Sequence, residues 1–411
     1  MTVPPAGVRC DLVVPVYNAL RSARACLVSV RRFAPPWARV VVINDASDAP
    51  TTEWLRAQRD IVLLENAENL GFVRTANRGF LYSDAPWVCL LNSDTLLTEG
   101  ALERMVAGCE RDPAIGLCCP LSNGAVNLSV KLPPGEDVFS FARRVARTSP
   151  ALYPDAVTIV GFCLLVRREV LRTLGVFDEI FGHGYCEETD LHYRARAARW
   201  RCVVADDTWI HHRNGGSFTD GGARTARNME ILMSRWRERH EREIAEFNRR
   251  NDLGAVRDAA TFEWTRPDDR PPEPHDVLFL VSSALSAEAA SALELANALV
   301  LAGFRAGAVA LDGAEPEKEM ELWFRPYHLS SAGLLASPPP TRVWVAGTRE
   351  TAALAPSLPV TPTPVDPAAF FRRAGEAASR PGSFSSRVNA GGSARAPLGA
   401  LRRRLKSLFT S

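Results

Sequence analysis

Along the first 110 residues, short runs of Val, Ile and Leu alternate with longer polar or amphipathic stretches, the pattern of βα units laid on a parallel sheet. DLVVPVY (residues 11–17) reads as a strand, and residues 22–33 have helical spacing. ARVVVIND (38–45) is a second strand, followed by a short helix over 51–58 that starts from a Thr cap. IVLLEN (61–66), a helix over 72–82 and WVCLLNSD (87–94) complete the fourth strand period. Tyr17, Asn18, Asp45, Asn66, Asn69, Asn92 and Asp94 then all fall at or just beyond carboxyl ends of predicted strands. Open α/β sheets bind ligands along that edge.

Between residues 116 and 154 the pattern weakens, with Pro133-Pro134-Gly135 marking a loop in what reads as a variable surface segment. A strand and helix resume over 157–179, a helix follows over 187–200, and residues 202–212 read as extended strands around a turn at Asp206-Asp207. Residues 224–250 form a charge-rich helix with Met229, Leu232, Met233 and Trp236 on one packed face. The proline-rich, charged stretch RPDDRPPEPHD (266–276) marks a domain boundary. Beyond it come a strand over 277–283, a helix over 287–302, and strands over 306–313 and 341–347. We therefore divide the chain into a main domain (1–250), a linker (251–275), a small α/β module (276–370) and a disordered tail (371–411). The tail ends in a basic amphipathic helix over 397–411, suited equally to an anionic membrane surface and to docking on protein.

Composition narrows the field. The 411 residues are 46% hydrophobic and 23% charged with a net charge of +2, so any electrostatic recognition must be local rather than global. No apolar run approaches the roughly 20 residues of a membrane span. The opening MTVPPAGVRCD lacks the regions of a signal peptide, and the chain is expected in the cytoplasm. Nine cysteines between Cys10 and Cys202 show neither CxxC nor zinc-type spacing and read as reduced core fillers. The Asn127-Leu128-Ser129 glycosylation match is read as chance. No GxxxxGK phosphate loop is present, and PVYNALRS stands where a dinucleotide fold would carry GxGxxG, which disfavours P-loop ATPase and oxidoreductase chemistry.

Three clusters could carry chemistry. Asn92-Ser93-Asp94 ends a strand, which turn closure would explain equally well. CEETD (186–190) places three carboxylates in a first helical turn, where the helix dipole favours them, and Asp190 is spaced to pair with Arg194, its favoured role. IHHRNGGSF (210–218) offers two histidines, of which only one can face a given pocket. Together they suggest a divalent-metal site beside a base: Asp94 and one His as ligands for an ion that handles a diphosphate, with the Glu pair left for proton transfer.

PVYN (15–18), VINDASD (42–48), NLGFVRTANRGF (69–80), LLNSDT (90–95), GVFDEIFGHGYCEETDLHYRARAARW (175–200) and DDTWIHHRNGGSF (206–218) resemble the ordered motifs of family 2 glycosyltransferases, the inverting GT-A type, over residues 8–250. The resemblance implies a GT-A nucleotide-diphospho-sugar transferase fold, a mostly parallel sheet flanked by helices. It implies a nucleoside pocket lined by Pro15, Tyr17, Asn18 and Asp45, with Asn69, Gly71 and Arg74 completing the base and ribose side. Asn92 and Ser93 would lie beside the donor, Asp94 and His212 would bind the metal, and Glu188 falls at the position of the catalytic base, with Glu187 the alternative. The ion would be Mn2+ or Mg2+, the His ligand favouring Mn2+. The implied reaction is an in-line, inverting transfer from a nucleotide-diphospho-sugar to a hydroxyl of a glycan, lipid-linked or protein-bound acceptor, as in bacterial surface polysaccharide synthesis. Residues 276–313 are similar to the opening of a family 4 GT-B enzyme, but the remainder is too short for two Rossmann halves. That leaves an incomplete, Rossmann-like second domain with a docking or acceptor-holding role. The rival readings are an inactive sugar-nucleotide or glycan-binding scaffold and a sugar nucleotidyltransferase. The latter usually carries an early glycine-rich basic signature, which this chain lacks.

Overall fold

The apolar runs become strands in the computed structural model, which describes residues 7, 9–133, 135–213, 221–250, 253–254, 275–281, 287–302, 304–311, 324, 327–328, 341–346 and 360–362. They fall into two units: Met1–Lys131 with Ala142–Glu263, and Leu132–Phe141 with Trp264–Ser411. The first unit runs β1 (Cys10–Val16), α1 (Leu20–Phe33), β2 (Ala38–Asn44), α2 (Ala49–Arg56), β3 (Val62–Glu65), α3 (Gly71–Tyr82), β4 (Trp87–Leu91), β5 (Thr95–Leu96), α4 (Ala101–Glu110) and β6 (Ile115–Ser122). It continues through α5 (Val138–Thr148), of which residues 142–148 belong to this unit, β7 (Cys163–Arg167), α6 (Arg168–Leu174), α7 (Glu187–Ala197), β8 (Arg201–His212) and α8 (Gly221–Arg250). The sheet order is β3-β2-β1-β4-β7-β6-β8-β5. Parallel pairing joins β3, β2, β1 and β4, and joins β6 to β8; β7 and β5 run antiparallel to their neighbours. The outcome is the expected mostly parallel sheet flanked by helices.

Two contacts set the first half of this sheet. Asp11, wholly buried in β1, takes both a 2.6 Å and a 2.8 Å bond from Arg39 of β2 and a 2.5 Å bond from Ser83 just past α3. Helix α3 lies close on the strands because Gly79 has no side chain; a Cβ there would overlap the Val13 side chain and stand 3.1 Å from Ile43 Cδ1.

The structure departs from the sequence reading in three places. Helix α2 starts at Ala49 and is capped by Asp48, whose carboxylate accepts from the Thr51 amide at 3.0 Å; Thr51 is not the cap but the residue being capped. The patternless stretch after residue 115 contains the wholly buried β6, IGLCCPLS, and then α5, whose first amides Phe139 and Ser140 are capped by Asp137 at 3.0 Å. β8 is one twelve-residue strand, not two strands about a turn. Asp206 and Asp207 lie where its pairing with β6 jumps from Pro120↔Ala205 to Leu121↔Trp209, a bulge in the ladder. Both are buried: Asp206 accepts from Ser149 Oγ (2.9 Å) and the amides of Leu152 (3.2 Å) and Tyr153 (2.9 Å), and Asp207 accepts from the Tyr153 hydroxyl (3.0 Å).

The second unit contains β9 (His275–Val281), α9 (Ala287–Ala302), β10 (Ala306–Ala310), β11 (Tyr327–His328), β12 (Thr341–Ala346) and β13 (Val360–Pro362). Its sheet is parallel throughout, in the order β11-β10-β9-β12-β13, so the strand order reverses beside β9 as in one Rossmann half. β11 and β13 have no counterpart in the sequence reading. Residues 132–141 join this unit, with His275 Nε2 at 2.9 Å from the Gly135 carbonyl. The tail over 371–411, including its terminal helix over 397–411, lies outside the described residues. No described helix is long and apolar enough to cross a membrane.

Gly79→Val is expected to lower the free energy of unfolding by about 1–3 kcal/mol, the usual cost of overpacking, read from urea denaturation. An unchanged midpoint would mean that α3 can lift from β1 without loss.

Candidate active site

Each parallel strand releases its chain at the same edge. After β1, Tyr17 is exposed, and Asn18 and Ala19 turn through the left-handed region at φ 55° and 52°. Asn18 joins this turn to the loop after β2: its amide donates to Ser47 Oγ at 2.9 Å, and its Oδ1 accepts from the Asp48 amide at 2.8 Å. Pro15 is buried within the β1–β2 ladder opposite Ile43. Asp45, also buried, accepts from Asn66 Nδ2 (2.6 Å), Leu70 N (2.8 Å) and Gly71 N (3.0 Å), and so holds the N-terminus of α3. Asn69 Oδ1 shares the Gly71 amide at 2.9 Å. Gly71 itself has φ +79°, and the His183 ring packs where its Cβ would stand, 2.6 Å away at Nδ1. Arg74 is exposed and paired with Glu179 at 2.9 Å.

The turn after β4 does two things at once. The Asn92 carbonyl accepts from the Thr95 amide (3.2 Å) and hydroxyl (2.6 Å), so the turn reading holds for the backbone. The Asp94 side chain is left over from that turn, and it points at His212: Oδ1 and Nε2 are 3.4 Å apart. What brings them together is the short antiparallel pairing of β5 with β8, Thr95 opposite His212 and Leu96 opposite His211. Burial pushes the Asp94 carboxyl up, but the hydrogen bond and charge of His212 outweigh it and hold it below the usual carboxylate value. His211 lies next to Trp209, ring centroids 6.3 Å apart, and burial, with His212 beside it, pushes it down to about 4.

The third cluster opens α7. Tyr185 and Cys186, at φ 76° and 73°, lead into it through the left-handed region, at about 1–3 kcal/mol of strain each. Glu187 is buried and Glu188 half-buried, and neither Oε2 finds a hydrogen-bond partner. Burial raises both carboxyls, and the charge of Glu188 adds to the rise at Glu187. Asp190 is committed elsewhere: it accepts from Arg194 (2.8 Å), Arg235 (3.1 Å) and the Trp236 indole (3.0 Å), the structural role its spacing suggested.

A segment that the sequence reading passed over joins these clusters. Immediately before β7, Gly161 faces the Glu pair, with Glu188 Cβ 3.7 Å and Glu187 Oε1 3.9 Å from where a Gly161 Cβ would stand. Its neighbour Phe162 stacks on His212, ring centroids 5.0 Å apart and 16° from parallel, while its carbonyl accepts the Asn92 amide at 2.8 Å. The available signal was a glycine directly before a buried strand, which often marks a close approach. Among the described residues no three His, Cys, Asp or Glu side chains gather as a metal cluster. The Asp94–His212 pair still fits a hard divalent ion that keeps several positions for phosphate oxygens and water, and the His212 Nδ1 lacks a hydrogen-bond partner.

A mannosyltransferase from Pyrobaculum calidifontis, solved in complex with GDP-Man and Mn2+, is similar at 17% identity over 66% of this chain and 79% of that chain, with a TM-score of 0.41. A pre-mycofactocin glycosyltransferase of Mycobacterium tuberculosis is 27% identical over 229 residues, 54% of this chain and 47% of the relative. An N-acetylglucosaminyl-diphospho-decaprenol L-rhamnosyltransferase of the same organism is 26% identical over 200 residues, 41% of this chain and 64% of the relative. The chain thus spans about half the length of the first relative and under two thirds of the second. The family model described as Glycosyl transferase family 2 matches residues 11–175, the stretch that builds β1 through β7 and the Asp94 turn. Over those residues the chain is similar to glycosyl transferase family 2.

Proposed function

We propose that the chain is a metal-dependent, inverting glycosyltransferase that moves a sugar from a nucleotide-diphospho-sugar to a hydroxyl of a glycan, lipid-linked or protein-bound acceptor. The observation that carries this reading is the convergence of Asp94, His212 and the Glu187–Glu188 pair around Gly161-Phe162. A binding scaffold has no use for a base. The nucleoside would lie along the edge formed by Tyr17, Asn18, Asn69 and Arg74, with Pro15, Asp45 and Gly71 shaping its backbone and Asn92 and Ser93 beside the diphosphate.

Asp94 and His212 would hold a Mn2+ or Mg2+ ion, which when bound offsets the charge of the departing diphosphate. Glu188 takes the proton of the acceptor hydroxyl as that oxygen attacks the anomeric carbon. Its burial favours this role, because a base with a raised pKa captures a proton more effectively near neutral pH. Glu187, buried beside it and raised by the same burial, would share the proton of the pair.

The first test is to incubate the chain with Mn2+ and UDP-, GDP- and dTDP-sugars and follow release of nucleotide diphosphate; no binding of any nucleotide sugar would sink the reading. Pyrophosphate release from a sugar phosphate plus NTP would point to a nucleotidyltransferase instead. Glu188→Gln is expected to cut turnover by about 100-fold or more, within the range of general-base assistance, with donor binding retained. Glu187→Gln mimics the protonated carboxyl and should keep most of the turnover; the reverse ranking would transfer the base role to Glu187.

Stability against pH gives a check that needs no substrate. A carboxyl whose folded pKa is raised contributes stability below its unfolded value, near 4.5, and that contribution is lost as pH rises through the folded value. Wild type should therefore lose stability relative to Glu187→Gln as pH climbs above 4.5, measured by urea unfolding across a pH series. For the metal, Asp94→Asn should weaken Mn2+ binding followed by electron paramagnetic resonance, and EDTA should stop turnover until Mn2+ is restored. Unaltered Mn2+ affinity in that variant would remove Asp94 from the ligand set.

A further inference from the structure

The Glu pair reaches the site on a loop that has little to hold it in shape. Between Asp178 and Cys186 the backbone closes on itself only through Phe181 N to Asp178 O (3.3 Å), Gly182 N to Glu179 O (3.0 Å) and Gly184 N to Phe181 O (3.3 Å). Gly182, Gly184, Tyr185 and Cys186 all have positive φ, at 61°, 121°, 76° and 73°. A loop with so few internal bonds and two strained non-glycine residues needs an outside clamp.

Helix α8 supplies one. Asn228 is wholly buried, and its Nδ2 lies 2.9 Å from Phe181 O, 2.8 Å from Gly184 O and 3.1 Å from Tyr185 O. Its Oδ1 accepts from Arg227 Nη1 at 2.8 Å, which fixes which end of the amide faces the loop, and the same Arg227 nitrogen reaches Ile180 O at 3.3 Å. Three carbonyls thus converge on one neutral group that carries two hydrogens. One helical turn or more further along, Arg235 pairs with Asp178 (2.9 Å) before the loop and with Asp190 (3.1 Å) after it. The last two carbonyls that Asn228 holds belong to the residues immediately before Cys186 and the Glu pair.

From this we infer that Asn228 is a positioning residue for the general base: it holds residues 181–185 so that Glu188 stands beside Gly161. The inference rests on the reading of Glu188 as the base. Nothing in the helical spacing of α8 marks Asn228, because its partners are backbone carbonyls more than forty residues upstream.

The test uses the full chain with Asn228→Asp and Asn228→Ala. Aspartate keeps the shape and removes both donors, so a space-filling role would survive it and the clamp would not. We expect amide deuterium exchange over 182–188 to speed by about tenfold or more in both variants, with β1 and β4 unchanged as the control for folding. Nucleotide diphosphate release with the best donor of the panel should fall about tenfold to a hundredfold, the scale of a small misplacement of a reacting group. The donor KM should stay within about twofold of wild type, and on a Glu188→Gln background Asn228→Asp should add little further loss, since both would remove one function. Unchanged exchange over 182–188 overturns the inference, as does faster exchange with undiminished turnover, or a loss that multiplies fully with that of Glu188→Gln. If Glu188→Gln alone leaves turnover intact, the base reading falls, and with it the positioning role, while the exchange result still decides whether the clamp exists.

Discussion

Two residue pairs, Thr95 with His212 and Leu96 with His211, lay the turn after β4 along the end of β8, and the Arg213 amide donating to the Asp94 carbonyl at 3.0 Å extends that contact. Their register depends on the bulge in β8. Pairing with β6 resumes after three extra residues, 206–208, and an odd insertion inverts which side chains face each side of a strand. His212 therefore meets Asp94 while His211 lies by Trp209. The bulge costs two buried carboxylates, and the loop over 149–153 supplies their hydrogen bonds from Ser149, Leu152 and Tyr153. A residue run that looks like a surface turn is thus an internal device for setting register.

Phe162 and Gly161 then connect this metal-type pair to the Glu pair. A side chain larger than hydrogen at Gly161 would be in contact with both glutamates, and the ring of Phe162 fixes the plane of His212. Nearby, Cys89 and Cys163 lie buried with their sulfurs 3.9 Å apart, and burial raises the Cys119 thiol to about 12, so it stays protonated. The cysteines behave as the small apolar fillers their spacing suggested.

Legibility in the sequence followed the range of the interactions. β1, β2, β3, β4 and α3 were readable because their burial follows local periodicity, and the edge residues after each strand came with them. β6 was not, since Cys118-Cys119-Pro120 breaks the Val/Ile/Leu run although every residue of the strand is buried. Asp206-Asp207 was misread because its partners lie more than fifty residues upstream, so only the polar character was visible locally. The same holds at the site: Asp94, Glu187, Glu188 and His212 announce themselves by residue type, whereas Phe162 and Asn228 act through a ring face and an amide in ways that no local pattern records.

In the proposed site three carboxyl groups, Asp94, Glu187 and Glu188, come together where the donor's diphosphate would add more negative charge. The fold meets it with different means for each. Asp94 stays ionised because His212 offsets the cost of its burial. Two adjacent carboxyls raised by burial cannot both ionise cheaply, so the Glu187–Glu188 pair favours holding one proton between them. Burial keeps Glu188 above an ordinary glutamate while backbone hydrogen bonds at Thr189 and Gly161 oppose the rise. In the proposed reaction a lysine or arginine beside Glu188 would have lowered its pKa and weakened it as a base. In the proposed arrangement the Asn228 amide donates to the carbonyls of Phe181, Gly184 and Tyr185, and the guanidinium of Arg235 stays on Asp178 and Asp190, so the loop before the pair is ordered by groups that leave Glu188 basic.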